Sequence, residues 1–282
     1  MKNTWGDLLL TDYKHMETKS LSIIQCVGIS VGFLFLVSIA LIIFIFCVQV
    51  YVYILGTEEY AMMVCFLIFS LMLYFIARFM LNRYLISNIK LKKKKLSLKH
   101  YFWVVLIELG GYLVLTATLY RGIYYLPDIG PKIVDYNYKA TEYKLFSVLT
   151  SVLLFPIVEE IVFRRIIQRG LTKKYTMKTA LVASTLIFAV CHFSLQQSIA
   201  VIPSGILLGY IYMKTSSLKL CIVIHGFHNL ICEIAEDFVH IKPNNIEYLG
   251  VFILGVLIMG TALKYFIATT EASSKPLECN IE

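Results

Sequence analysis

Two adjacent carboxylates, Glu159 and Glu160, stand in the apolar stretch Phe155-Pro156-Ile157-Val158-Glu159-Glu160-Ile161-Val162-Phe163-Arg164-Arg165. In a membrane helix each such group costs about 2.5–3.5 kcal/mol near the bilayer centre, so intramembrane ionisable residues are functional by default. Glu160 and Arg164 are four apart and share a helix face, where they can form a pair that locks helices together. Glu159 is rotated from Glu160 by about 100° and has no partner at helical spacing. A carboxylate shielded from bulk water can act as general base towards a bound water.

Two further segments supply imidazoles and an amide. In Phe188-Ala189-Val190-Cys191-His192, Phe188 and His192 fall on one face at spacing four. Cys191 beside His192 invites a thiol-nucleophile reading. Consecutive helical residues point in different directions, so the two do not make a nucleophile–base pair. In His225-Gly226-Phe227-His228-Asn229, His225 and Asn229 face the same way, and both offer donors to a developing oxyanion. His228, three residues from His225, lies in the same arc, and spacing does not exclude it. Gly226 permits close helix approach, and all three polar side chains could instead make plain interhelical hydrogen bonds. Together the groups suit peptide-bond hydrolysis without a covalent intermediate: a water deprotonated by carboxylate and imidazole, and donors for the oxyanion. No cofactor is expected. A divalent metal stays open, since Glu, His and His are zinc ligands, but His-Glu-x-x-His is absent from the chain.

The elements that position these residues are membrane helices. Of 282 residues, 59% are hydrophobic and 16% charged, and mean hydropathy is +0.75. A soluble domain would carry about a quarter charged residues. Apolar runs long enough to span fall within 21–55, then at 60–81, 101–120, 145–168, 179–194, 198–213, 218–235 and 247–268. The expectation is an all-α polytopic protein of about eight transmembrane helices. It forms a single membrane domain over 1–282, with the catalytic cavity inside the bundle and its core at 145–235. The first run is too long for a cleaved signal core, so it should stay as a helix.

The net charge of +8 does not indicate nucleic acid. The basic residues sit in short gaps between apolar runs, where they set topology. Arg83, Lys90, Lys92 to Lys95, Lys99, Arg169, Lys173, Lys174, Lys178, Lys214 and Lys219 fall in one set of connections. Glu58, Glu59, the irregular loop 121–144, Glu236 and Asp237 fall in the other. The alternation puts both termini in the cytoplasm. The run Lys92 to Lys95 would also attract anionic lipid. The seven cysteines show no Cys-x-x-Cys pair and read as small hydrophobes, and the final Cys279-Asn280-Ile281-Glu282 fits a prenylation signal poorly. At about 1.5 Å per residue from the cytoplasmic ends, Glu159 lies about 15 Å deep, His192 about 20, His225 about 10 and Asn229 about 16, so three helices bring polar groups to one slab.

Glu-Glu-x-x-Phe-Arg at 159–164, Phe-x-x-x-His at 188–192 and His-x-x-x-Asn at 225–229, in this order on successive helices, resemble the CPBP family, which groups CAAX prenyl endopeptidases with bacteriocin-processing and self-immunity (Abi) proteins. The stretch from Gly205 to Leu218 is also similar to the family's segment before its last motif. The resemblance covers about 145–235. It implies that Glu159 is the catalytic base, that His192 helps activate the water, and that His225 and Asn229 form the oxyanion hole. Glu160 and Arg164 are then the supporting pair, and the three motifs do not explain His228. The activity implied is a glutamic intramembrane endopeptidase acting on a membrane-proximal peptide or protein. The short polar ends and Lys/Ile-rich composition suit a bacterial plasma membrane, where a bacteriocin leader or pheromone precursor is a more natural substrate than a prenylated protein. A self-immunity or membrane-binding protein with little proteolysis is the alternative. A proton-coupled transporter fits less well, because the polar groups cluster and no repeat is visible.

Overall fold

Two adjacent apolar runs folding back on each other, joined by a polar turn, repeat along this chain, and the computed structural model shows the resulting helices. It describes residues 16–55, 58–87, 96–123, 126, 141–236 and 244–272. Lys90, the run Lys92 to Lys95, most of the loop 121–144, Asp237 and the Cys279 tail lie outside the described residues. In chain order come β1 (Met16–Thr18), α1 (Ile23–Leu55), α2 (Glu58–Tyr84), β2 (Leu85–Ser87) and α3 (Leu98–Ile123). Then follow α4 (141–171), α5 (Met177–Val190), α6 (Leu195–Ala200), α7 (Ile202–Thr215), α8 (Leu218–Glu236) and α9 (Asn245–Ala272). Their outer faces are apolar; Ile24, Phe35, Phe46 and Phe75 are all well exposed, as side chains facing lipid would be.

The all-α membrane architecture stands, with two differences. First, six helices among the described residues are long and apolar enough to cross a bilayer: α1, α2, α3, α4, α8 and α9. The runs at 179–194 and 198–213 carry shorter helices. With 14 residues each, α5 and α7 rise only about 21 Å, short of the roughly 30 Å hydrocarbon core. The polar segment His192-Phe193-Ser194 interrupts the first of these runs, and Pro203 opens α7 at its N-terminal turn. The chain therefore reverses within the bundle.

Second, β1 pairs antiparallel with β2, Met16 opposite Ser87 and Thr18 opposite Leu85. This ribbon ties the N-terminal segment to the ends of α2 and α4. Lys19 N–H donates to Tyr84 O (3.0 Å), and Leu21 N–H to Gly170 O (3.1 Å). Glu17, with 4% of its side chain exposed, takes both arms of the Arg169 guanidinium at 2.9 and 3.0 Å and Lys173 Nζ at 3.2 Å. Burial alone would push this carboxyl up, but the Arg169 hydrogen bonds, the Thr18 N–H and Lys173 hold it down at about 2. The same end carries Lys19, Arg83, Arg169, Lys173, Lys174, Lys178, Lys214 and Lys219. Most of the basic residues in the described connections thus gather at one end of the bundle, while Arg121 and Lys144 lie at the other.

The site-bearing helices are set by local chemistry. Thr176 caps α5 by accepting from Thr179 N–H, and Ser217 accepts from Leu220 N–H at the start of α8. Ser216 closes α7 in the left-handed conformation (φ 51°), making the tight turn into α8. In α4, α-helical segments alternate with π-helical ones at Thr150–Leu154 and Ile161–Gln168. Pro156 follows the first of these. It has no N–H, so Val152 O four residues back and Ser151 O five back lose the donor that residue 156 would otherwise offer. Both carbonyls turn to α8. Behind the core, α3 and α9 pack through Gly110 and Gly255: a Cβ on Gly110 would lie 2.6 Å from Met259 N.

Candidate active site

The centre of the site is the imidazole of His225, buried on α8. Its Nδ1 lies 2.9 Å from Glu160 Oε1. A carboxylate oxygen accepts, so Nδ1 carries the proton and Nε2 points the other way. There it faces Glu159 Oε2 at 3.6 Å. Glu160 Oε2 accepts from Arg164 Nε at 3.1 Å, and both side chains are fully buried. The pair expected between Glu160 and Arg164 is therefore present, but it is one half of an Arg164–Glu160–His225 relay. Glu159, without a partner on its own helix, finds one on α8. The two adjacent carboxylates grip opposite nitrogens of one ring and differ in setting: Glu160 is sealed, while 22% of the Glu159 side chain is accessible.

Arg164 is enclosed by apolar side chains and sits 5.3 Å over the Phe188 ring, a cation–π contact. Its Nη1 and Nη2 have no hydrogen-bond partner among the described residues. Glu160 is thus the counter-charge of a guanidinium with little else to satisfy it.

His192 is not on the fifth helix, as its spacing suggested. The helix ends at Val190, and His192 occupies the turn that follows. Phe193 takes the left-handed conformation (φ 56°), and Ser194 then caps α6 by accepting from Gln197 N–H. The relation to Phe188 survives. His192 Nδ1–H donates to Phe188 O at 3.0 Å, and the rings meet edge to face at 4.8 Å. A carbonyl cannot donate, so neutral His192 keeps its lone pair on Nε2. Phe188 also packs edge to face on His225 (5.9 Å) and Phe163 (5.0 Å). It is the wedge that spaces the two imidazoles, and Glu159 lies within electrostatic reach of both.

Asn229 is one turn beyond His225. Its Nδ2 donates to Ser151 O at 2.7 Å, one of the two carbonyls left without the residue-156 donor. Gly226 sits over the other: a Cβ there would lie 2.5 Å from Val152 O. Ser151 Oγ donates to Glu233 Oε1 at 2.8 Å. So α8 is docked on the π-helical stretch of α4, which fixes His225 and Asn229 relative to Glu159. One amide hydrogen of Asn229 and its oxygen remain for a ligand. The structure brings Glu159, Glu160, Arg164 and His225 into direct contact. It links His192 through Phe188, and it anchors Asn229 to α4 backbone rather than to a carboxylate.

His228, unexplained by spacing, points elsewhere. Its Nδ1 lies 2.6 Å from Glu108 Oε1 on α3, with both side chains largely buried. Glu108 is a carboxylate inside an apolar run, the same signal that marks Glu159 in the sequence. Ser151 also went unread; its position five residues before Pro156 was the available clue. Among the described residues no group of three or more His, Cys, Asp or Glu side chains is arranged to hold a metal ion.

Neither the curated proteins nor the solved structures include one that matches the chain. Residues 141–231 do match a family model, Rce1-like, described as Type II CAAX prenyl endopeptidase Rce1-like. The match spans α4 to most of α8 and contains Glu159, Glu160, Arg164, His192, His225 and Asn229. Consistent with the CPBP resemblance, residues 141–231 of this multi-pass membrane protein are similar to the Rce1-like family of the CAAX-protease type.

Proposed function

We propose that the chain is an intramembrane endopeptidase that hydrolyses a peptide bond of a membrane-proximal substrate with a water activated by Glu159 and His192. The observation that carries this reading is the difference between the two neighbouring carboxylates. Glu160 is sealed and committed to Arg164 and His225, whereas Glu159 is accessible, faces His225 and lies within electrostatic reach of His192. Glu159 and the Nε2 lone pair of His192 take the proton of the water as its oxygen bonds to the scissile carbonyl carbon. The carbonyl oxygen becomes an oxyanion held by the free amide hydrogen of Asn229 and by His225. His225 donates from Nε2 as an imidazolium whose counter-charge is the Glu160 carboxylate on Nδ1. The captured proton then passes to the leaving amine as the C–N bond breaks. Every step uses side chains already in place, and we assign no metal to it.

We place the protein in a bacterial plasma membrane with both termini cytoplasmic. The clustering of basic residues at one end of the bundle supports that orientation. Substrates would be unprenylated peptides at the membrane surface. The test is the purified protein in lipid vesicles with internally quenched peptides, some ending in a prenylated cysteine and some unprenylated. Cleavage should occur, survive chelator and vanish in Glu159→Gln. A Glu159→Gln variant that cleaves at the wild-type rate would end the mechanism, and loss of cleavage with chelator would overturn the metal-free assignment.

A further inference from the structure

On the face of α8 turned towards α3, a second set of reactive side chains stands apart from Glu159. Glu108 Oε1 lies 2.6 Å from His228 Nδ1, and His228 Nε2 lies 3.6 Å from Cys232 Sγ. The carboxylate accepts from Nδ1–H, which leaves the Nε2 lone pair facing the thiol. Thiol, imidazole and carboxylate in this order form a nucleophile, its base and the group that orients the base. Glu108 and His228 are buried, while Cys232 is exposed. The Tyr112 ring packs edge to face against His228 at 6.3 Å and so fixes its plane. Cys232 lies one turn before the end of α8 at Glu236, about 6 Å from the helix terminus. The sulfur is thus presented on the outer part of the helix.

Alternative chemistries for this thiol find no support. Cys232 is free, and no metal-holding group exists among the described residues. The relay faces α3, whereas His225 and Asn229 face α4. We propose that Glu108, His228 and Cys232 form a second, thiol-based centre at which Cys232 accepts an acyl group from an activated ester or thioester at the membrane boundary. In the transfer from a thioester, the Cys232 sulfur attacks the carbonyl carbon as His228 Nε2 takes the thiol proton. A new C–S bond forms, the old C–S bond (C–O for an ester donor) breaks, and the departing thiolate or alkoxide takes the proton back from His228. No oxidant or reductant is involved. Glu108 keeps the imidazole in the tautomer that can accept the proton, so it is a positioning residue.

The experiment uses the full-length protein in phospholipid vesicles and residue-resolved mass spectrometry. In one arm an octanoyl thioester of N-acetylcysteamine is added; in the other the vesicle phospholipid is the sole acyl source. A hydroxylamine-sensitive acyl adduct on Cys232 in the first arm identifies a thioester donor, and one in the second arm identifies a lipid ester; either supports the proposal. Absence of an adduct in both arms overturns it. His228→Gln should lower the rate of adduct formation, and of alkylation of Cys232 by iodoacetamide at pH 6.5, by tenfold or more. Glu159→Gln should leave both rates unchanged, which separates this centre from the proposed peptidase. Equal rates in wild type and a folded His228→Gln would reduce Cys232 to an ordinary exposed thiol and refute the relay. Should that variant fail to fold, the wild-type adduct at Cys232, measured against the partly exposed Cys47 in the same sample, decides the matter; equal labelling of both refutes it.

Discussion

Gly226→Ala is the sharpest probe of how α8 is docked. The added Cβ would lie 2.5 Å from Val152 O, about 0.9 Å short of the 3.4 Å at which ordinary contact begins. Val152 O is backbone and cannot swing aside, so α8 must move away by most of that deficit. Overpacking of this kind costs about 1–3 kcal/mol. The same displacement stretches the 2.7 Å bond from Asn229 to Ser151 O and draws His225 from Glu159. A misplacement of about 1 Å at reacting groups costs on the order of 100-fold in rate. The built-in control is Gly250→Ala on α9, where nothing lies within 4 Å of the new Cβ. That change should be neutral or stabilise by roughly 0.5–1 kcal/mol through helix propensity. Both variants would be measured by thermal unfolding in detergent and by quenched-peptide cleavage in vesicles. Gly226→Ala should melt a few degrees below wild type and cleave about 100-fold more slowly, with Gly250→Ala indistinguishable from or above wild type. A Gly226→Ala protein as stable and active as Gly250→Ala would refute the docking of α8 on the carbonyls exposed ahead of Pro156.

The neighbouring carboxylates should separate cleanly: Glu160→Gln strands the fully buried Arg164, whose Nη atoms already lack partners, and should cost about 3–5 kcal/mol, whereas Glu159→Gln should unfold near the wild-type temperature. Thermal melts of the two side by side check this. Asn229→Asp would set a carboxylate oxygen against Ser151 O, 2.7 Å from the present amide nitrogen; it should lower both melting temperature and cleavage, and Asn229→Gln should not restore them. Glu17 titrates at about 2 in the fold against an ordinary 4.5, so its stabilising contribution is complete above pH 4.5 and disappears as pH falls towards 2. Wild type and Glu17→Gln should therefore converge in stability across that window, as read by melts between pH 6 and 2.

Much of the site was legible because intramembrane charge is costly and helical spacing is regular. Glu159, Glu160 and Arg164 declared themselves through an apolar run that had no other use for them, and the i, i+4 rule gave the Glu160–Arg164 pair. Spacing within one helix says nothing about the helix opposite, so the bond from Glu160 to His225 and that from His228 to Glu108 came only with the fold. The run 179–194 read as one span because hydropathy averages over His192, Phe193 and Ser194. Backbone torsion at Phe193 and the Ser194 cap are single-residue events that a window of apolar residues smooths away. The docking of Asn229 depends on which carbonyls Pro156 frees, and that needs the π-helical register, which composition does not encode.

The shortness of α5 and α7 bears on the lipid. Helices of about 21 Å flanked by full-length spans present a hydrophobic mismatch, and a bilayer meets such a deficit by thinning locally. The leaflet beside the His192 turn would be pinched, so an aqueous peptide need cross little hydrocarbon to reach the site. Acyl-chain length then becomes a control on the protein: thick, sterol-like membranes oppose the pinch and thin ones favour it. Where the protein works in a cell would follow from membrane thickness as much as from any sequence address.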